Sequence, residues 1–356
     1  MTEKRQNVPV EQVPAVALAY AGGLWATDLL ETSSDPAVLE AGGKWFVVYP
    51  YVGSPTFLRF GSWSKEVPLQ AIGSWTGPDI SSWRSSMDVD AYCKAVESTR
   101  SAIADGLVYQ ANICRVMRAT IDVRTCDIAR LHQLLAAHNP APYAAMVRVP
   151  NLGLGIACAS PELFLSREES TVISGPIKGT GKTRDDLTDK DRAENVMIVD
   201  LVRNDLARVS KIGTVEVAGL LREEKHPGLV HLVSHVKGEL HDNTSWSDIF
   251  QATFPPGSVT GAPKISALAL IEELETARRD YYCGAIGWIN SDTQQASLSV
   301  AIRSFWIDGD ELCFGTGAGI TWGSNALREW QETELKAERL IEVAARQSRP
   351  NVERQS

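Results

Sequence analysis

The alternation of apolar and polar positions divides the chain into short runs of strand character and longer runs with helical spacing. KWFVVYPYV (Lys44 to Val52) and PTFLRF (Pro55 to Phe60) are rich in the β-branched and aromatic residues that suit a pleated, half-buried surface. A polar stretch, GSWTGPDISSWRSSMDVD, follows around residues 73 to 90 and marks the weakest joint of the chain. Beyond it, DAYCKAVESTRSAIADGL sets Tyr92, Val96, Ile103 and Leu107 broadly on one helical face, with Gly106 near the end, which predicts an amphipathic helix. Strand candidates then recur: YAAMVRV (Tyr143 to Val149), LGLGIACAS, ELFLS, STVIS, CGAIGWI, SLSVAIRSFWI and ELCFGTGAGI. Some are joined as hairpins, as where Asp308, Gly309 and Asp310 supply turn chemistry. The pattern predicts large antiparallel sheets with helices outside, in one continuous unit without repeats. The tail after Ala345, RQSRPNVERQS, has nothing to bury and is expected to fray.

Composition narrows the class. A chain of 356 residues with 44% apolar content builds a substantial core, which excludes a disordered or fibrous protein. A net charge of -9 opposes both nucleic acid and anionic membrane as partners, because phosphate binding draws on Lys and Arg. The first residues, MTEKRQNVPVEQVP, hold no apolar signal core, and no segment approaches ~18 uninterrupted apolar residues, so a cytoplasmic location is expected. The six cysteines are scattered without CxxC or His spacing, which disfavours structural zinc and a disulfide framework.

Two glycine-rich segments imitate nucleotide motifs and fail on spacing. PIKGTGKT (Pro176 to Thr183) has proline where a phosphate loop needs its first glycine, and proline has no N–H to offer an anion. GTGAGI (Gly315 to Ile320) lacks the third glycine of a dinucleotide fingerprint and follows a sheet hairpin. Its closely spaced glycines suit either a backbone nest for a carboxylate or a tight sheet turn.

Two helical segments carry acidic residues at helical spacing. In LREWQETELKAERLIEVAA, Glu329, Glu332 and Lys336 share one face, which could hold a cation beside an anion or simply be an exposed face with a Glu332 to Lys336 pair. In DKDRAENVMIVDLVRNDLARV, Glu194 lies on the same face as Met197, Ile198 and Leu201, where a carboxylate needs a partner, and Asp191 sits one turn earlier. Carboxylates from two helices together with an acidic ligand would suit Mg2+.

From about Asp90 to Ala345 the chain resembles the chorismate-utilising enzymes. The resemblance rests on YQANI, ASPELF, SGPIKGTGKT, RAENVMIVDLVRNDLARV, HLVSHVKG, FPPGSVTGAPK, CGAIGWI, SVAIRSF, GTGAGITWGS and EWQETELKA, in that order. It implies an α+β fold of two large antiparallel β-sheets packed as a sandwich with helices outside. It further implies an Mg2+ site from Glu194, Glu329 and Glu332 with Asp191 alongside. The pyruvyl-type carboxylate would be held by Arg303, Lys336 and the backbone of Gly317, Ala318 and Gly319, with Tyr282 nearby and His231 and Thr180 lining the pocket.

Branches of this family differ in the nucleophile they admit. In the branches that add water, the Gln110 position is typically a lysine acting as general base. Glutamine does not titrate in the useful range, so an aminating branch is expected. Lys178 in PIKGT resembles the aminodeoxychorismate synthase branch, whose members use this lysine as a nucleophile at C2 of the ring while Glu162 protonates the departing C4 hydroxyl. A lysine that only binds a carboxylate is the simpler alternative. The resemblance thus implies Mg2+-dependent amination of chorismate to 4-amino-4-deoxychorismate, a para-aminobenzoate and folate precursor. Anthranilate synthase component I and a non-catalytic chorismate-binding subunit are the alternatives. No residues stand out as a glutaminase site, so ammonia is expected from a separate glutamine amidotransferase subunit. Residues 1–86 are expected to form a short strand-rich region packed on a chorismate-binding core of residues 87–346, with 347–356 as a disordered tail.

Overall fold

A computed structural model describes residues 16–181, 183–187, 189–226 and 229–348. Its elements, in chain order, begin with β1 (Leu18–Ala21), β2 (Leu24–Ser33), β3 (Lys44–Tyr49), β4 (Thr56–Ser64), β5 (Trp75–Thr76), β6 (Arg84–Ser85), α1 (Val89–Ala104) and β7 (Gln110–Thr120). Next come α2 (Ile128–His138), β8 (Tyr143–Val149), β9 (Leu154–Ser160), β10 (Leu163–Glu168), β11 (Thr171–Gly175), β12 (Ile177–Gly181), α3 (Asp189–Ala207), β13 (Glu216–His226) and β14 (Leu229–Glu239). The chain closes with α4 (Trp246–Thr253), β15 (Gly261–Ala262), α5 (Lys264–Leu274), β16 (Ala285–Asn290), β17 (Gln295–Val300), β18 (Ser304–Asp308), β19 (Glu311–Ile320), α6 (Ala326–Ala344) and β20 (Gln347–Ser348).

The fold is α+β with antiparallel pairing throughout; eighteen of its twenty described strands form one continuous hydrogen-bonded ladder, and the remaining two, β5 and β20, pair with each other. The ladder starts with β12 and β13 on β14, then runs through β11, β10, β17, β16, β3, β4 and β2. It continues through β1, β8, β9, β18 and β19 to β7, which carries β6 and β15 on its far edge. The ladder folds over on itself, so that Val147 and Ile156 of β8 and β9 share a core with Phe46, Ile286 and Leu298 of β3, β16 and β17. Burying both inner faces against each other removes apolar surface from water, the dominant favourable contribution to folding. On the outer side of the second half, α2 and α6 pack with Trp75, Phe305 and Phe314, and α1 and α5 cover Ile113 and Ala318.

Four expectations change. The N-terminal region is woven into the ladder, β3 onto β16 and β1 onto β8, rather than packed upon a finished core. The stretch from 73 to 90 is no joint: Trp75 is fully buried and donates through its indole nitrogen to the Ala344 carbonyl, and β5 pairs with β20. That pairing also places Gln347 and Ser348 in a strand, while residues 349–356 of the expected tail lie outside the described residues. Finally, α1 ends at Ala104, and Gly106, in the left-handed region at φ 74°, turns the chain so that Leu107 is exposed.

Candidate active site

A cavity of about 800 Å3 lies where the two ends of the ladder face each other, between β12, β14 and α3 on one side and β19 and α6 on the other. Its wall includes Glu162, Lys178, Asp191, Glu194, His231, Tyr282, Arg303, Gly317, Gly319, Glu332 and Lys336, residues spread over most of the chain.

Lys178 enters this cavity through a β-bulge. Ile177 faces Val233 but Thr180 faces His231, so β12 advances one residue further than β14. An extra residue of this kind re-aims the side chains beside it. Gly179 takes φ 83°, where an L side chain would be strained, and a Cβ there would stand 2.8 Å from that of Asp191. The glycines that imitate a phosphate loop thus serve a bulged strand. Lys178 Nζ donates to the Ser258 carbonyl oxygen at 2.9 Å.

GTGAG is neither a turn nor a nest. It is extended strand within β19, with Gly317 opposite Cys114 and Gly319 opposite Asn112 of β7. The last β18 partner on β19 is Phe314, so from Gly315 onward that edge is open to the cavity. Lys336 donates to the Gly317 carbonyl at 3.0 Å, and the facing Cys114 N–H goes to Glu275 rather than across the ladder. Gly317 and, by the period of two, Gly319 therefore direct their N–H and C=O groups along the open edge. The glycines are needed for space: the Tyr282 ring occupies the volume of a Gly315 side chain, and Cys114 Sγ would lie 2.6 Å from a Cβ at Gly317. Ala318, alternating with them, turns its side chain into the core under α1 and α5 and its N–H toward β7, so it takes no part in the wall.

A Cβ at Gly319 would stand 2.5 Å from Gln110 Nε2, 3.3 Å from Lys178 Nζ and 3.6 Å from Glu194 Oε2. Gly319→Ala is accordingly expected to displace the Gln110 amide and crowd Lys178 slightly, lowering turnover by roughly 10-fold while the fold is kept. Circular dichroism and steady-state kinetics on the same preparation check this.

Glu162 is buried, and burial pushes its carboxyl up to about 7, opposed by the Ser258 side chain and then by the charge of Lys178. Arg303 is drawn down to about 10 by burial, partly offset by Glu162, and is still a cation at neutral pH. SLSVAIRSFWI is not one strand but two, β17 and β18, because the chain crosses between the ladder's halves at Ala301–Arg303. Arg303 makes the crossing with φ 53°, and its side chain lines the cavity. Lys336 loses to burial but gains more from Glu332 and Glu329, so its pKa is raised; its ammonium lies 2.6 Å from Glu332.

The carboxylates expected at a cation site come from both walls. Glu194 on α3 and Glu332 on α6 line the cavity with Asp191, while Glu329, one turn before Glu332, is buried behind them. Among the described residues no three His, Cys, Asp or Glu side chains stand close enough to hold a metal unaided. Gln110, the first residue of β7, is buried beside Lys178 and behind the wall. Thr180 sits opposite His231, and its side chain lies outside the described residues. Sequence reasoning missed Ser258 and Asn112, which line the cavity. Ser258 belongs to the FPPGSVTGAPK segment, but only the approach of that segment to β12, 80 positions earlier, shows what it touches.

Residues 68–342 match the chorismate binding enzyme family, and the chain belongs to that family. Among its relatives, aminodeoxychorismate synthase component 1 of Bacillus subtilis is 35% identical over 80% of this chain and 61% of its own length. Anthranilate synthase component 1 1 of Haloarcula marismortui is 38% identical over 74% of this chain and 55% of its own length. The chain thus spans about three fifths of these relatives. The fold is shared with anthranilate synthase component I from Streptococcus pneumoniae, at TM-score 0.72 and 23% identity, covering 96% of this chain and 95% of that one. It is also shared with the menaquinone-specific isochorismate synthase of Escherichia coli, at TM-score 0.75 and 18% identity, covering 94% and 90%. No described helix is long and apolar enough to cross a membrane.

Proposed function

We propose that this chain replaces the C4 hydroxyl of chorismate with an amino group, making 4-amino-4-deoxychorismate. The observation that carries the reading is that Lys178 and Glu162 line one cavity, with Gln110 and Lys178 both reaching the same point of β19 at Gly319. Lys178, as the free amine, forms a bond to ring C2 as the two conjugated ring double bonds shift, C1=C2 to C1=C6 and C5=C6 to C4=C5, and the C4 carbon–oxygen bond breaks. Glu162, protonated below about pH 7, gives its proton to the leaving oxygen, which departs as water. Ammonia then bonds to C4, both double bonds return to C1=C2 and C5=C6, the lysine leaves C2 with its electron pair as the neutral amine, and the new C4 ammonium returns a proton to Glu162. Arg303 and Lys336 supply cationic charge for a substrate carboxylate, and Gly317 and Gly319 offer N–H groups along the open strand edge.

Glu194 and Glu332, hard oxygen donors that reach the cavity from two helices, would hold Mg2+ together with the substrate's oxygens and water, with Glu329 behind Glu332. When bound, the cation supplies positive charge against a substrate carboxylate. Relatives named as component 1 support a second subunit, and we assign it the role of a glutamine amidotransferase that delivers ammonia.

The test is purified protein with chorismate, Mg2+ and ammonium, with the product identified by mass and by its ring substitution. Nitrogen at C4 is expected. Nitrogen at C2 would make the chain a 2-amino enzyme like the anthranilate synthases, and a product without nitrogen would end the aminating reading.

A further inference from the structure

We propose that Arg115 is a positioning residue that sets the rotation of α6 about its axis and so fixes where Glu332 and Lys336 stand in the cavity. The inference rests on the roles proposed above for those two side chains. It adds a residue that does not itself line the cavity.

Arg115 lies on β7 directly opposite Thr316 of β19, so both side chains leave the ladder on the same face. Both take hold of one residue of α6. The Thr316 hydroxyl donates to the Thr333 carbonyl at 2.9 Å, and Arg115 Nε donates to the Thr333 hydroxyl at 3.0 Å. The remaining donors of the guanidinium are engaged nearby: Nη1 donates to the Ser85 hydroxyl of β6 at 3.0 Å, and Nη2 pairs with Glu334. Its central carbon stands 4.1 Å from the centre of the Trp330 ring. One buried cation thus holds Trp330, Thr333 and Glu334 on adjoining positions of a single stretch of helix.

The same stretch carries the site. At 3.6 residues per turn, Thr333 stands roughly 60° from Lys336 round the helix and roughly 100° from Glu332, so a roll that loosened Thr333 would swing both charged groups. Side-chain ends lie about 6 Å from a helix axis, and a roll of about 10° moves them by about 1 Å. Apolar packing leaves this freedom open. Ala337, Leu340, Ile341, Val343 and Ala344 seat the C-terminal half of α6 in the core beside α2, but such contacts are non-directional. A planar guanidinium fork has fixed directions, and these select one rotation. The consequence appears at the open edge of β19, where Lys336 donates to the carbonyl of Gly317, the residue after Thr316.

Arg115→Met tests this, because it keeps an apolar contact with Trp330 and removes every directed bond. Lys178 and Glu162 belong to other segments, β12 and the residue before β10, so their chemistry should be spared once substrate is bound. KM for chorismate should rise roughly 10-fold with kcat within about threefold of the parent, the mark of lost binding shared by ground and transition states. Calorimetric titration with chorismate, with Mg2+ present and ammonia left out, should show affinity weakened by a similar factor. A purely structural role would lower the melting temperature and leave the affinity of the folded protein as it was. A folded Arg115→Met protein with unchanged KM and affinity would overturn the proposal, as would a fall in kcat with KM unchanged. Should that variant fail to fold, Glu334→Ala removes one contact of the guanidinium from a half-exposed position. KM should then rise roughly threefold, since ion-paired hydrogen bonds are the stronger ones, and an unchanged KM would overturn the proposal. The parent reading is decided separately, by where nitrogen enters the ring, which does not depend on how tightly chorismate is held.

Discussion

Lys178→Ala is expected to lower amination of chorismate by roughly a thousandfold or more, the scale on which loss of a reacting group shows in kcat/KM. The reason lies in the bulge. Ile177 and Thr180 keep their places opposite Val233 and His231, so the substitution leaves β12 paired and empties only the position held against the Ser258 carbonyl. A second substitution separates nucleophile from charge. Lys178→Arg keeps a cation in the cavity, but a guanidinium does not lose its proton near neutral pH and cannot form the bond to C2. Both variants should therefore be nearly inactive with ammonium and Mg2+. Recovery of turnover in Lys178→Arg would show that the residue only binds a carboxylate.

Glu162→Gln is expected to retain chorismate binding and lose about 10^2- to 10^4-fold in kcat, the usual contribution of a positioned acid. The sign of the pH dependence follows from burial. A carboxyl held up at about 7 is protonated and able to donate below that pH, and it loses the proton as pH rises through it. The wild-type kcat profile should therefore fall on its basic side with a midpoint near 7, and this limb should be missing from the residual activity of Glu162→Gln. The amide keeps the size of the side chain, and a fluorescence or calorimetric titration with chorismate reports whether binding persists. Full activity, or a variant that no longer binds chorismate, would remove Glu162 as the acid.

The two residues stand on different local devices, and neither was equally visible beforehand. ELFLS reads as a strand from its apolar run, and β10 begins at Leu163, one residue after Glu162. That the carboxyl then meets Ser258 and Arg303 depends on segments about 96 and 141 positions away, and no local pattern carries such distances. The bulge under Lys178 is also silent in composition, because PIKGTGKT has the glycines of a phosphate loop and the apolar residues of a short strand. Pairing with β14 decides between them. GTGAG is a similar case: its glycines announce close approach, but only Tyr282 and Cys114, brought up from elsewhere, show what approaches.

Periodicity and composition were enough for α1, α3 and α6, for half of the strands, and for the antiparallel character, because each depends on residues within one or two turns or on alternation along one strand. The motifs were enough for the family. What chain-local information could not supply is the closure of one ladder from β13 to β7, the anchoring of Trp75 in place of a linker, and the left-handed crossing at Arg303. Each of these arises when burial of a particular side chain or pairing of a particular edge outweighs the local preference. The cavity itself belongs to this second kind: its walls come from β12, β14, β19, α3 and α6, and its volume exists only because β18 stops at Phe314 and leaves the glycine edge of β19 open.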